Sequence, residues 1–192
     1  MTGAEFILPV VLGVSLAAAA GFRVFVPLLA LGASAHWGFV PVSDGFAWVA
    51  TTPALIMLAV AAVAEVIAYY IPGVDNLLDT LAAPAALIAG VMVSAAVMTG
   101  MPPMLKWTLA IIAGGGAASL TQGATTIARG HSTVLTGGTG NHILSTGEII
   151  GAVVLSLLSL IAPWLALALA LIAVFIAYRF IRRMRKNRPA EP

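Results

Sequence analysis

Long apolar runs follow one another along almost the whole chain, separated only by short stretches that carry proline, glycine or charge. They show neither the strict two-residue alternation of a half-buried strand nor the apolar stripe of a soluble amphipathic helix. A bilayer core roughly 30 Å thick takes about 20 apolar residues at about 1.5 Å of rise each. That ruler places spans at 6–33, 48–71, 77–99, 104–128, 143–162 and 163–183, six in all. The stretch 143–183 would rise about 60 Å as one helix, too long for a single crossing. Pro163 with Trp164 marks the turn within it, because proline suits a helix start and tryptophan favours the interface. If that stretch is instead one kinked helix, the count falls to five and the N-terminus moves to the other side.

Composition turns this pattern into a class. With 61% hydrophobic and 8% charged residues in 192, and a mean hydropathy of +1.07, the apolar surface exceeds what one soluble domain can bury. Lipid must cover the rest. Backbone groups in hydrocarbon must be satisfied internally, so the expected fold is all-α: one integral membrane domain, 1–192, forming a polytopic transmembrane helical bundle. There is no cysteine, which excludes disulfides and thiolate metal sites. Residues 1–5 lack the basic n-region of a cleaved signal and lead directly into the first apolar run.

Charge orients the bundle. Arg179, Arg182, Arg183, Arg185, Lys186 and Arg188 follow the last span, and such clusters stay in the cytoplasm. The tail 179–192 is therefore expected inside, against anionic lipid. Six spans also put the N-terminus inside, with the 72–80 and 129–142 loops on the cytoplasmic side. Asp44 and Pro102-Pro103 then face out, and Lys106 near the outer interface is left to snorkel. Pro72 and Pro163 each close one apolar run and open the next, 91 positions apart, which suggests two inverted three-helix halves of the kind transporters use.

Polar residues inside the spans carry the functional information, since a charge at membrane depth costs several kcal/mol unless paired or hydrated. Arg23 follows Gly21 in an apolar run, and Pro27 cannot donate to the Arg23 carbonyl, so a kink is expected there. Glu65 is its expected partner, either as a satisfied structural acid or as a proton or cation carrier. Asp75, Asn76 and Asp79 open the third span, with the two aspartates four apart on one face. They read either as a cation or substrate contact or as an N-cap and a charge in favourable contact with the helix dipole.

The segment from Arg129 to Glu148 is too polar and glycine-rich for a lipid-facing helix, so a loop is expected, re-entrant or lining a wet cavity. His131, Thr136, Gly137, Gly138, Asn141 and His142 lie in it as pathway candidates. The two histidines are too far apart in sequence to argue a metal, and no phosphate-loop ending is present. Ser145-Thr146-Gly147-Glu148 fits a capping box, which would make Glu148 the cap of span five. Gly147 with Gly151, and Gly114-Gly115-Gly116, offer small-residue surfaces for close helix contact within one chain or in a homo-oligomer.

Three elements, Gly21-Phe-Arg-Val-Phe-Val-Pro27, Glu65 with Ile71-Pro-Gly-Val-Asp-Asn-Leu-Leu-Asp79, and Thr136-Gly-Gly-Thr-Gly-Asn141, occur in this order. Together they resemble a family of small bacterial membrane proteins catalogued as domain of unknown function 4126. The resemblance covers nearly the whole chain. It implies a polytopic protein of the bacterial cytoplasmic membrane and assigns no substrate or functional residue. From the residues themselves the expected function is a small transporter or channel, proton- or cation-coupled, acting on a small ion or solute. The competing reading is a non-transporting scaffold or lipid-interaction protein. Neither a cofactor nor a nucleic-acid partner is expected. Enzyme chemistry is not expected either, because Asp75 and Asp79 supply only part of a headgroup-transferase metal site, and Ser132 lacks the setting of a membrane serine protease.

Overall fold

A computed structural model describes residues 3–71 and 74–186, with the side chains of Ala4, Asp75, Asn76, Ala177 and 180–186 outside the described set. The described chain is all-α. Its eight α-helices are α1 (Ile7–Ala20), α2 (Phe25–His36), α3 (Thr52–Ala68), α4 (Val74–Val97), α5 (Pro103–Leu109), α6 (Gly116–Thr136), α7 (Asn141–Ile161) and α8 (Pro163–Lys186). Among the described residues, Leu77–Val97 and Asn141–Ile161 are long and apolar enough to cross a membrane on their own. Asp44–Ala50, a 3-10 helix, and Thr52–Ala68 qualify together as a pair bent by 68°, while Ile7–Ala20, Phe25–His36 and Pro163–Ile176 are shorter apolar helices.

The first apolar run, expected as one span over 6–33, is two helices running in opposite directions. Along α1 the neighbours advance steadily. Gly13 lies against Ser94 and Val97, Ala17 against Gly90, and Gly21 against Ala118 and Thr121. Residues 21–24 then turn the chain. Along α2 the order reverses, from Val24 and Phe25 at Glu65, through Gly32 at Leu55 and Val49, to His36, whose Nδ1 is 2.7 Å from the Ala50 carbonyl oxygen. The expected kink is therefore a full hairpin turn. Pro27 sits in the first turn of α2, where its missing N–H leaves no intrahelical bond unmade.

α1 is the core of the molecule. Leu16 through Ala20 are buried almost completely, and a helix apolar all round belongs in an interior. Small residues set the approach of its neighbours. A Cβ on Gly114 would stand 2.1 Å from Ser94 Oγ, and one on Gly90 2.5 Å from Ala118 Cβ. Contacts this close exist only because the residue is glycine. Gly114 thus forms the close helix contact expected of it. Gly147 does not, for a Cβ there meets nothing within 4 Å, and a Cβ on Gly151 meets only the Phe22 ring at 3.6 Å.

Two further expectations resolve at the other end of the chain. Pro163 does divide the last apolar stretch: Leu155 of α7 packs in one cluster with Ala166 and Ala170 of α8 and with Ala18 and Ala19, whereas a continuous helix would hold Leu155 about 16 Å from Ala166 and about 22 Å from Ala170. The loop expected over 129–142 shrinks to four residues. α6 continues to Thr136 and stops where Gly137 and Gly138 take φ of +62° and +93°, the left-handed conformation that glycine adopts without a Cβ penalty. The first members of the two supposed halves also differ in build, since 6–33 doubles back while 103–136 runs on through a π-helical turn at Ala110–Gly115. Trp37, Trp48, Trp107 and Trp164 all fall at the end of the bundle where α2 finishes, and all are exposed.

Candidate functional site

The hairpin turn carries Arg23, which is 1% exposed. Its side chain passes beyond the turn toward the end where α3 and α6 finish and α4 and α7 begin. There Nη2 lies 3.2 Å from Glu148 Oε2 and donates to the Ser145 carbonyl at 3.3 Å. Arg129 on α6 reaches the same carboxylate. Its Nε donates to Glu148 Oε1 at 2.9 Å and its Nη2 to Oε2, a side-on bidentate pair. Nη2 also donates to Ser145 Oγ at 3.0 Å, and Nε is 3.7 Å from Asp79 Oδ1. Both guanidinium groups sit over the Tyr69 ring, 3.8 Å and 4.4 Å from its centroid, close enough for cation–π attraction.

The supply of acceptors in this cluster falls short. Arg23 Nε and Nη1 and Arg129 Nη1 are buried without an acceptor among the described residues, while Asn141 Oδ1, itself an acceptor, is buried without a donor. A buried polar atom with its bond unmade costs free energy, and native structures contain few.

Glu65 occupies a different place from the one its sequence position suggests. No hydrogen bond or ion pair joins it to Arg23 among the described residues; its Oε1 and Oε2 accept from the Val24 and Phe25 backbone N–H groups at 2.8 and 3.1 Å. Those are orphan donors at the start of α2, so Glu65 caps that helix from α3, where the macrodipole favours a negative charge. Glu65 is also among the residues that line a largely apolar cavity of about 400 Å³ between α2, α3 and α4, with Tyr69, Ala61, Leu78 and Ala82.

Glu148, expected to cap span five, lies seven residues inside α7, because that helix already begins at Asn141. Ser145 is likewise interior. Asn141, Ser145 and Glu148 recur at helical spacing and are all buried, so one face of α7 leads from the helix start to the arginines. Asn141 Nδ2 donates to Thr133 Oγ1 of α6 at 3.0 Å. Around the mouth of this face, Tyr70 stacks on the His142 ring at 5.7 Å and shares a 2.7 Å hydrogen bond with Thr146. Thr136 Oγ1 accepts from the Gly140 N–H at 2.9 Å and so ties the short loop. His131 lies on α6 two residues beyond Arg129. No group of three or more His, Asp or Glu placed to hold a metal occurs among the described residues. Asp79 is drawn into the cluster; Asp75 and Asn76 have side chains outside the described residues, as does the basic tail beyond Arg179.

Sequence reasoning overlooked Arg129, Tyr69 and Ser145 as members of the site. Arg129 could have been found by extending the span 104–128 to the left-handed glycines, which would have placed a charge at depth and called for a partner. Tyr69 and Ser145 carry no comparable signal.

The family model described as domain of unknown function (DUF4126) matches residues 10–183. The chain belongs to this family. Neither a curated protein nor a solved structure matches it. The three motifs read from the sequence coincide with working parts of the fold: the hairpin turn with Arg23, the α3 end with Glu65 and Tyr69, and the left-handed glycines that end α6.

Proposed function

We propose that this member of the DUF4126 family is a small membrane transporter or channel of the bacterial cytoplasmic membrane, built as five crossing segments and one re-entrant helical hairpin. The observation that carries the reading is the buried Arg23 at the tip of the hairpin, held in a charged cluster by helices that arrive from both directions. α1 has 14 residues, about 21 Å of rise against a core of roughly 30 Å, so the hairpin stops short of the far side. Broken helices with polar groups at the break are tolerated at membrane depth where they line a pathway, and transporter sites are built this way. With the basic tail inside, the charged cluster stands near the cytoplasmic end and the tryptophan belt at the outer one. The N-terminus is then outside. Reporter fusions test this: one at residue 1 should report outside and one after Arg188 inside, and two cytoplasmic signals would restore six crossings.

Proton or cation coupling rests on Glu65, an acid beside an apolar cavity that also holds the hairpin turn. Protein in liposomes should show flux of a small ion or solute, and Glu65→Gln should fold yet lose the pH or ion dependence of that flux. The complete pairing of Glu148 with two arginines favours a second reading, a scaffold whose charges only lock the fold. Replacing Arg23, Arg129 and Glu148 together by apolar residues of similar size should then leave a stable and functional protein, whereas a transporter so altered should be stable and inactive.

A further inference from the structure

We propose that Arg23, Arg129 and Tyr69 form an oxyanion site that Glu148 occupies as a tethered stand-in, and that the natural ligand is a small carboxylate or phosphate-type anion. The inference deepens the transport reading and rests on it for the passage of the ligand, though binding alone can be measured. Three observations carry it. A single carboxylate is shared by two buried arginines, each of which could bind one by itself. Arg23 makes its bonds through Nη2 only, and three guanidinium nitrogens of the pair are buried with no acceptor, so the cluster has more donors than Glu148 satisfies. Those nitrogens are sealed from solvent, so an anion enters the cluster by displacing the Glu148 carboxylate from Arg23 Nη2 and from Arg129 Nε and Nη2.

A polar face of α7 leads to that position. Asn141 at the helix start, then Ser145, then Glu148 are buried in sequence, and Asn141 keeps an unpartnered Oδ1. The seven residues from Asn141 to Glu148 rise about 10 Å, so the site is shallow from the cytoplasmic end. A structural salt bridge needs neither the surplus donors nor a polar face leading to it. Asp79, 3.7 Å from Arg129, would partly neutralise an empty site and limits the ligand to a single small anion.

Removing the stand-in should create a site for free anions. In Glu148→Ala, formate, acetate or phosphate should raise the melting temperature saturably, by roughly 5 °C or more at about 100 times the dissociation constant. Chloride at matched ionic strength should not. Glu148→Gln, which keeps the volume, should show the same ordering with a smaller rise, and serves alone if the alanine variant does not fold. Wild type should respond at least tenfold more weakly, and adding Arg23→Met to Glu148→Ala should abolish the response. Equal responses to formate, phosphate and chloride in the Glu148 variants would overturn the site. Anion-specific stabilisation without flux in liposomes would keep the site and remove the transport reading. Flux in wild type, with no anion-specific stabilisation in either variant, would do the reverse.

Discussion

Glu65 and Glu148 stand on two sides of the same hairpin turn and hold it by different chemistry. Glu65, on α3, meets the backbone: its two oxygens take the first N–H groups of α2. Glu148, on α7, meets side chains: its two oxygens take guanidinium groups from α6 and from the turn itself. The difference teaches what each acid is worth. A cap satisfies partial charges that other oxygens can also satisfy, whereas a carboxylate between buried arginines neutralises full charges that only Asp79, 3.7 Å from Arg129, otherwise offsets in the cluster. The Glu65 side of the turn should therefore tolerate change that the Glu148 side does not.

The largest test of that contrast is Glu148→Ala. Removing one partner of a buried charge pair typically costs about 3–5 kcal/mol, because the remaining charge is left without compensation. Arg129 keeps only Asp79 at 3.7 Å and Arg23 loses its ion-pair partner, so chemical unfolding in detergent should place the variant within that range when no oxyanion is added. A loss near 1 kcal/mol, the size expected of a lost cap, would mean the two acids are equivalent and the contrast fails.

Tyr69 belongs to the Glu148 side through its ring face. Tyr69→Leu should cost about 2 kcal/mol, the scale of a desolvated cation–π contact. Tyr69→Phe keeps the face and should stay close to wild type. Equal losses in the two variants would place the contribution in the hydroxyl and not in the arginine stack.

Glu65→Gln comes next in size. Glutamine keeps an amide oxygen for one of the two N–H groups and loses the charge that favours the helix start, so the expected cost is about 1 kcal/mol. Measured beside Glu148→Gln, it should be the milder of the two isosteric changes. The reverse order would show that the hairpin depends on its cap more than on its charge cluster.

The helical class, the division at Pro163 and the need of Arg23 and Glu65 for polar partners are legible in the sequence because each follows from one local rule: length of apolar run, proline geometry, or charge at depth. The partners of those charges are not. The pairing of Arg23 with Glu65 follows from span boundaries that treat 6–33 as one kinked crossing. Once the chain doubles back, Arg23 points toward the start of α7, and Glu65 is level with the first amides of α2. The polar stretch 129–148 misled for a related reason. Polarity there argues against a lipid-facing helix, yet Arg129, Asn141, Ser145 and Glu148 are polar because their helices face one another across a charged interior. Only Gly137 and Gly138 require a turn. Local rules identify which residues are unusual, and only the path of the chain says which of them meet.

The smallest expected effect sharpens the contrast by supplying its control. Gly147 precedes Glu148 on α7 and lines a groove of about 510 Å³ against Phe22, Leu169 and Ala173, with nothing within 4 Å of an added Cβ. A glycine in a helix interior is less favourable than alanine by about 0.5–1 kcal/mol, so Gly147→Ala should be neutral or stabilised by roughly 0.5 kcal/mol. Such a result would show that α7 tolerates added bulk one residue from the cluster, and that losses at position 148 report charge and not disturbance of the helix. A destabilisation beyond about 1 kcal/mol, the size of overpacking, would mean that something outside the single chain fills the groove. A second copy of the protein is the occupant to test first, by comparing the oligomeric state of Gly147→Ala with that of wild type. If that state changes, the cost of Glu148→Ala must be measured again in the separated monomer before it can be set against that of Glu65→Gln.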